Sequence, residues 1–170
     1  MGVAELKEMA KERGTVEIDG IEAFREAVGA LLTLASANVD ILTRRLDFRI
    51  FDHEHVVTEM KRISLGSRRA QVRVLIHDAS ALTHREHRLW ALMRRLPTYF
   101  ELRIPSADYR KLPANFVIAD RVGSVYQPNS ELYEGLAQFY DPTRAGQLRR
   151  QFGEIWESAE QSPELRTMRI

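Results

Sequence analysis

Two periodicities alternate along this chain, and their alternation restricts the fold more than any other feature. Apolar residues alternating with polar ones are typical of β-strands, and apolar residues three and four apart are typical of amphipathic helices. Strands are predicted at 15–18, 39–42, 71–78, 99–105, 115–120 and 123–126. Helices are predicted from Ile21 to residue 35, from Asp52 to Gly66, from Ser80 or Thr83 to Pro97, and from the cap Asp141 through Pro142 to Trp156. The pattern, with its late hairpin, predicts an α/β fold: a mixed β-sheet flanked by helices on both faces.

The length of 170 residues fits one domain with a sizeable core. There is no repeat, low-complexity tract or Pro/Gly/Ser-rich linker. We therefore predict an N-terminal arm at 1–14, one domain at 15–161 and a C-terminal tail at 162–170. The loop after the second strand, "TRRLDFRIFD", is predicted to hold a short extended piece at 48–51.

Composition narrows the function classes. The formal net charge of +1 provides no broad basic field, so nucleic acid is not the expected partner. The absence of cysteine excludes disulfides, thiolate–zinc sites and a cysteine nucleophile. It also fits the cytoplasm, as does an N-terminus without the apolar segment of a secretory signal. The longest apolar-rich run, residues 28–37, is too short to span a bilayer.

Four stretches in order carry a family resemblance: "VRVLIHD", "LWALMRRLPTYFELRIP", "ANFVIADRVGSVYQPN" and "YEGLAQFYDPTRAGQLRRQFGEIWESA". Together they resemble one repeat of the phospholipase D-like superfamily, over roughly residues 21–159. In that family a strand reads His-x-Lys-x-x-x-x-Asp, and a hairpin with Gly-Ser-x-Asn follows. A Glu, an apolar strand, "DP" and a helix ending in Phe-x-x-x-Trp come next. The resemblance implies a single phospholipase D-like repeat.

The family's catalytic motif aligns without gaps but with different residues. Asp120 matches the motif Asp, whereas Pro113 stands at the His position and Asn115 at the Lys position. The resemblance implies that the His attacks phosphorus and the Lys holds the phosphoryl oxygens. Proline cannot attack, and an amide carries no charge to offset a developing phosphoryl charge. Glu134 matches the Glu that orients the His. We therefore expect a degenerate, non-catalytic motif.

A ligand site is nevertheless predicted where loops converge at the carboxyl ends of the parallel strands. The candidate ligand-binding residues are Arg44, Arg45, His77, Asp78, Asn115, Asp120 and Glu134. Arginine donors suit a phosphate or carboxylate, and all but four of the 25 basic residues are arginine. The alternative is an ordinary solvated loop set with internal salt bridges.

Two functions from different classes follow. The first is a non-catalytic binding or accessory domain that recognises a small anion, a nucleic acid backbone or a protein partner. Because one repeat exposes the face that normally meets its twin, a homodimer is predicted. The second is a hydrolase or transferase acting on a phosphorylated small molecule, with His77 as base and Arg45 among its anion donors.

No cofactor and no metal site are predicted. His77, His84 and His87 lie near one another in sequence, but the His-Glu-x-x-His spacing that marks many metal helices is absent.

Overall fold

A computed structural model of the chain describes residues 3–80, 82 and 86–161. Its strands are β1 (Thr15–Asp19), β2 (Asn38–Thr43), β3 (Gln71–Ile76), β4 (Phe100–Arg103), β5 (Asn115–Ala119), β6 (Gly123–Gln127) and β7 (Glu134–Gln138). Its helices are α1 (Val3–Lys11), α2 (Ile21–Leu34), α3 (Phe48–Phe51), α4 (Glu54–Leu65), α5 (Arg88–Arg95) and α6 (Pro142–Ser158), with a 3₁₀ turn at Ala107–Tyr109.

The strands form one mixed sheet in the order β1-β7-β6-β5-β2-β3-β4. Strands β2, β3 and β4 are parallel, whereas β5 runs antiparallel to β2 and pairs in a hairpin with β6. Helices cover both faces of this sheet. The predicted α/β fold with a mixed sheet is therefore confirmed.

Alternation along each central strand builds a separate core on each face. In β2, Val39 and Ile41 belong to the larger core, which includes the buried side chains of α2, α4 and α5. Leu42 of the same strand belongs to the smaller core, which lies under α6 with Phe152 and Ile155. Because the central strands bury both of their faces, they read in the sequence as nearly continuous apolar runs.

The predicted extended piece at 48–51 is wrong, because these residues form the helical turn α3. The Asp47 carboxylate caps this turn by accepting the Arg49 backbone N–H at 3.0 Å. Ile50 and Phe51 are both buried. Consecutive side chains of a strand point to opposite faces, whereas Ile50 and Phe51 belong to the same core, which a helical turn allows.

One predicted helix start is also wrong, and one predicted helix is interrupted. Asp52 does not cap the second helix: His53 precedes α4, and the Asp52 carboxylate instead accepts the Arg88 backbone N–H at 3.0 Å. Ser80 and Leu82 are helical, as predicted, but residues 86 and 87 are not, so the predicted third helix is interrupted and α5 begins at Arg88. His87, with φ −99° and ψ 120°, has an extended backbone that interrupts a helix arriving from residue 80, and its Nδ1 accepts the Trp90 N–H.

Other local signals led to the observed elements. Asp141 caps α6 by accepting the Arg144 N–H at 3.0 Å, and Pro142 occupies its first turn. The sequence of β7 shows no clear strand pattern, and it contains Gly135, a residue type that is uncommon inside strands. Glycine is needed there because a Cβ would lie 2.1 Å from the Tyr126 carbonyl oxygen. Helix α1 lies within the predicted arm and buries Leu6 and Ala10. The predicted tail at 162–170, Thr83 and His84 lie outside the described residues.

Candidate ligand-binding site

Strand direction brings several loops to one end of the sheet, which we call the cavity end. Leu42 pairs with Phe116 in the antiparallel β2–β5 ladder, so the end of β2 lies beside the start of β5. Asn115 in turn pairs with Gln127, the last residue of β6. The loops at 44–47, 110–114 and 128–133 therefore meet at the cavity end.

Asn115 links three of these segments through its side-chain amide. Its Oδ1 accepts the Arg44 backbone N–H at 2.9 Å, and its Nδ2 donates to Gln127 Oε1 at 3.1 Å. Gln127 Nε2 then donates to the Leu132 carbonyl at 2.8 Å. Each amide group thus has its O and N atoms engaged with protein partners, and the chain of bonds fixes the relative positions of the loops.

The two arginines after β2 have different surroundings. Arg44 is half-buried, and its Nη2 donates to the carbonyls of Arg110 and Leu112 at 3.0 and 2.8 Å. This guanidinium holds the segment that precedes β5. Arg45 is exposed, and within the described part of the chain it makes no hydrogen bond or ion pair. It is therefore the less committed of the two cations.

Asp47, Arg49 and Tyr133 form a polar cluster across the cavity end. The Asp47 carboxylate accepts a hydrogen bond from the Tyr133 hydroxyl and forms an ion pair with Arg49 at 3.1 Å. Burial acts to raise the pKa of Asp47, but the hydrogen bonds from Arg49 and Tyr133 lower it below the usual value. Burial and the bond to Asp47 raise the pKa of Tyr133 to about 12. The cluster therefore joins the 44–47 loop to the segment before β7 as a charged carboxylate and a neutral phenol.

A cavity of about 390 Å³ lies among these groups. Arg44, Arg45, Asp47, Arg49, Asn115, Gln127, Glu131 and Tyr133 contribute to its wall, together with apolar residues that include Phe24, Val28, Leu42, Phe48 and Val125. The volume lies within the range of about 300–1,000 Å³ common to small-molecule sites. A pocket with charged groups and an apolar wall is thus present where the sequence predicted a ligand site.

His77 and Asp78 also lie at this end of the sheet, after β3, but neither lines the cavity. Both ring nitrogens of His77 are buried and make no hydrogen bond to any residue that the structure describes. Burial and the positive charge of nearby Arg44 lower the pKa of His77 to about 4. Asp78 bonds to Ser80, and those bonds lower its pKa. No described carboxylate orients His77 as a general base would require.

The last two predicted residues, Asp120 and Glu134, do not line the cavity. Asp120 lies at the other end of β5, about 16 Å along a strand of that length. Its carboxylate accepts the backbone N–H groups of Ser36, Ala37 and Asn38 at 2.6, 3.0 and 3.0 Å. Glu134 begins β7 and is exposed, outside the cavity wall. Including Asp120 in one cleft with Asn115 was therefore wrong.

Residue patterns alone missed Gln127, Arg49 and Tyr133 as parts of the site. Asp47 stands in the loop "TRRLDFRIFD", and an Asp before a short helical turn is a recognisable N-cap signal. The contact of Gln127 with Asn115 follows from the register of the β5–β6 hairpin. The contact of Tyr133 with Asp47 joins segments 86 residues apart, and no local pattern marks it.

The described ranges contain neither a cluster of potential metal ligands nor a helix that could span a membrane. Within residues 3–80, 82 and 86–161, no three His, Asp or Glu side chains are close enough together to hold a metal ion. No helix in those same ranges has both the length and the apolar character needed to cross a bilayer.

Comparison with known proteins gives a family and a fold. The profile of the family described as "Domain of unknown function (DUF7931)" matches residues 20–168, and no curated protein sequence matches the chain. Nuc from Salmonella typhimurium, a phospholipase D family member, superposes with a TM-score of 0.59 at 13% identity, covering 86% of this chain and 96% of Nuc. NucT from Helicobacter pylori gives a TM-score of 0.58 at 14% identity, covering 87% of this chain and 98% of NucT.

A third similar structure is TrmBL2, an archaeal chromatin protein whose structure shows a mode of DNA binding. It gives a TM-score of 0.64 at 16% identity over 87% of this chain. The chain spans only 53% of the length of TrmBL2. At these identities the likenesses show the fold alone, and Nuc and NucT identify it as a phospholipase D-like fold.

Proposed function

Since the chain belongs to the family described as "Domain of unknown function (DUF7931)" and has a phospholipase D-like fold, we propose that it is a non-catalytic binding domain. Its ligand is an anion that binds in the cavity at the carboxyl end of β2. In this proposal, Pro113 occupies the position of the family's catalytic His and Asn115 the position of its Lys.

One observation carries the proposal: the amide of Asn115 is engaged in holding the loops together. It accepts from Arg44 and donates to Gln127 at the strand end where the resemblance expects a phosphate-binding lysine. The Pro113 carbonyl likewise accepts the Ser130 N–H at 2.7 Å. Neither side chain offers a nucleophile or a positive charge to a phosphodiester.

The charges around the cavity support an anion as ligand. Arg44, Arg45 and Arg49 contribute to its wall, opposed by the carboxylates of Asp47 and Glu131. Asp47 is already paired with Arg49. Arg45 makes no hydrogen bond or ion pair with a described residue, although its charge helps to lower the pKa of Asp78. Its planar guanidinium suits carboxylate or phosphate oxygens.

The alternative of an enzyme built around His77 and Arg45 receives less support. Arg45 lines the cavity, but His77 does not, and its ring nitrogens contact no described carboxylate. A base must reach the proton it removes. The geometry therefore favours binding over catalysis.

The test combines binding with a search for residual hydrolysis. We expect inorganic phosphate to raise the thermal midpoint of the protein, and we expect Arg45→Glu to abolish that shift. We expect bis(p-nitrophenyl) phosphate to be hydrolysed no faster with protein than in buffer. Hydrolysis that scales with protein concentration would overturn the non-catalytic assignment, and a phosphate shift that survives Arg45→Glu would overturn the anion site.

The partner predictions can be tested on the same sample. The likeness to the DNA-binding TrmBL2 makes duplex DNA a necessary probe, although the net charge of +1 predicts weak binding. Salt-dependent binding of a duplex would identify the nucleic acid backbone as the anion. The homodimer predicted by the resemblance is tested by light scattering during size-exclusion chromatography, where a monomer at high micromolar concentration would contradict it.

A further inference from the structure

The inner wall of the cavity is apolar. Phe24, Val28, Leu42 and Val125 all contribute to it, and each is nearly inaccessible to solvent. Because these side chains keep little surface open to water, an apolar group in the cavity gains dispersion contacts with them rather than a large release of water. The inner wall therefore favours a ligand with an apolar body.

The polar groups between these apolar side chains already have protein partners. Asn115 and Gln127 bond to each other and to backbone groups. The Thr43 hydroxyl accepts the Leu46 N–H at 3.0 Å, and His87 Nε2 lies 3.2 Å from the Leu46 carbonyl oxygen. Because these groups are satisfied without a ligand, a polar ligand body would lose its hydration with little replacement.

The mouth of the cavity has the opposite character. Arg45, Arg49 and Glu131 are exposed, and Phe48 is 43% exposed among them. Arg49 is paired with Asp47, so Arg45 is the cation with least commitment. The site thus combines an apolar interior with an anion-binding group at its opening.

From this division we infer that the ligand is a small amphipathic anion, in which a carboxylate or phosphate group is attached to a short aliphatic chain or a single ring. The apolar part contacts Val28 and Val125 inside the cavity, and the anionic group binds Arg45 at the mouth. This inference rests on the proposed function, since it requires an anion in this cavity. It adds that the apolar part supplies most of the affinity.

The test uses the full chain and matched probes in isothermal titration. Octanoate and octyl phosphate carry both parts, acetate and inorganic phosphate carry only the anionic group, and 1-octanol carries only the apolar chain. We expect octanoate or octyl phosphate to bind at least about tenfold more tightly than either small anion or the alcohol. The stronger of the two identifies the preferred anionic group.

Two surface variants assign the binding to this cavity. Arg45→Glu removes the cation, and we expect it to weaken the better amphipathic probe at least about tenfold. Phe48→Ser removes an exposed ring at the mouth, and we expect a smaller loss. Arg68→Glu is the matched control, because Arg68 is an exposed arginine in the turn before β3, at the other end of the sheet, and should leave affinity unchanged.

Each result separates this inference from the proposed function. If phosphate binds as tightly as octyl phosphate and acetate as tightly as octanoate, the amphipathic ligand is wrong while the anion site stands. If octanol binds as tightly as octanoate, or if no probe binds, both are wrong. Equal losses in Arg45→Glu and Arg68→Glu would place the binding outside this cavity and overturn the inference.

Discussion

The two ends of strand β5 differ in how they use their polar groups. At the turn end, formed by residues 36–38 and 119–122, the Asp120 carboxylate accepts three backbone N–H groups at the start of β2. At the cavity end, Asn115 holds loops together beside a cavity with an uncommitted arginine, and the buried ring nitrogens of His77 contact no described partner. The turn end is built for stability, and the cavity end leaves charge available for a ligand.

The backbone conformation at the turn end adds to the role of Asp120. Asp120 and Arg121 both have positive φ, 51° and 65°, in the turn that joins β5 to β6. Aspartate tolerates this region better than most residues, and its carboxylate also satisfies backbone donors that would otherwise lack partners. We therefore expect Asp120 to stabilise the turn whether or not a ligand binds at the cavity end.

The largest expected effect is at the turn end. Asp120→Ala removes three charge-assisted hydrogen bonds and places alanine at positive φ, so we expect a loss of about 3–5 kcal/mol in the free energy of unfolding. Urea denaturation measures it. Asp120→Gly relieves the backbone strain but not the lost bonds, and Asp120→Asn keeps one acceptor, so both should lose less than alanine. A loss below about 1 kcal/mol for Asp120→Ala would contradict a stabilising role for this end.

The next largest expected effect is a loss of stability in acid, through His77 at the cavity end. The pKa of His77 is about 4 in the folded protein, against 6.5 for the free side chain, so the unfolded chain binds more protons between these values. The titration of His77 therefore leaves the free energy of unfolding unchanged above about pH 6.5 and lowers it as the pH drops from there towards 4. The full shift corresponds to at most about 3 kcal/mol, and partial exposure reduces it to about 2 kcal/mol.

His77→Leu isolates this contribution, because it removes the ring nitrogens that have no described partner. We expect its stability to fall less than that of the wild type between pH 6.5 and pH 4, and to match or exceed the wild type at pH 7. Denaturation midpoints across this range give the difference. Parallel pH profiles for the two proteins would show that His77 is not the unsatisfied group inferred at the cavity end.

A smaller effect is expected at Asn115. Asn115→Ala leaves the Arg44 N–H and Gln127 Oε1 without their partner, but water in the cavity can replace part of what is lost. We expect a loss of about 1–2 kcal/mol in the free energy of unfolding. A double-mutant cycle with Gln127→Ala should give a coupling of about 1 kcal/mol. Strict additivity would mean that the two amides do not act as one unit.

The sequence predicted what depends on local signals. The hairpin at 115–126 and the helix after Asp141-Pro142 were read correctly, because strand alternation and an N-cap are properties of neighbouring residues. Residues 48–51 were misread, since "FRIF" suits a strand until its burial against the core is known. Alternation cannot reveal whether both neighbours are buried.

The candidate site was predicted only in part, for two different reasons. Arg44, Arg45 and Asn115 line one cavity, and each flanks the end of a predicted strand. Asp120 was grouped with them although it lies five positions after Asn115 along an extended strand. Strand geometry alone places these two residues too far apart to share one cleft. The contact of Gln127 with Asn115 follows from the register of the predicted hairpin and was overlooked, whereas the contact of Tyr133 with Asp47 joins segments 86 residues apart and has no local signal.

The smallest expected effect on stability is at Arg45, and it decides whether the cavity end is a binding surface. Arg45 is exposed and makes no hydrogen bond or ion pair within the described ranges, so Arg45→Ala should change the free energy of unfolding by less than about 0.5 kcal/mol. Arg44→Ala is the matched comparison, because it removes the bonds to the Arg110 and Leu112 carbonyls and should cost about 1–2 kcal/mol. Urea denaturation of both variants tests this contrast. If Arg45→Ala were as destabilising as Arg44→Ala, Arg45 would hold the fold rather than remain available for an anion, and the distinction between the two ends of β5 would fail.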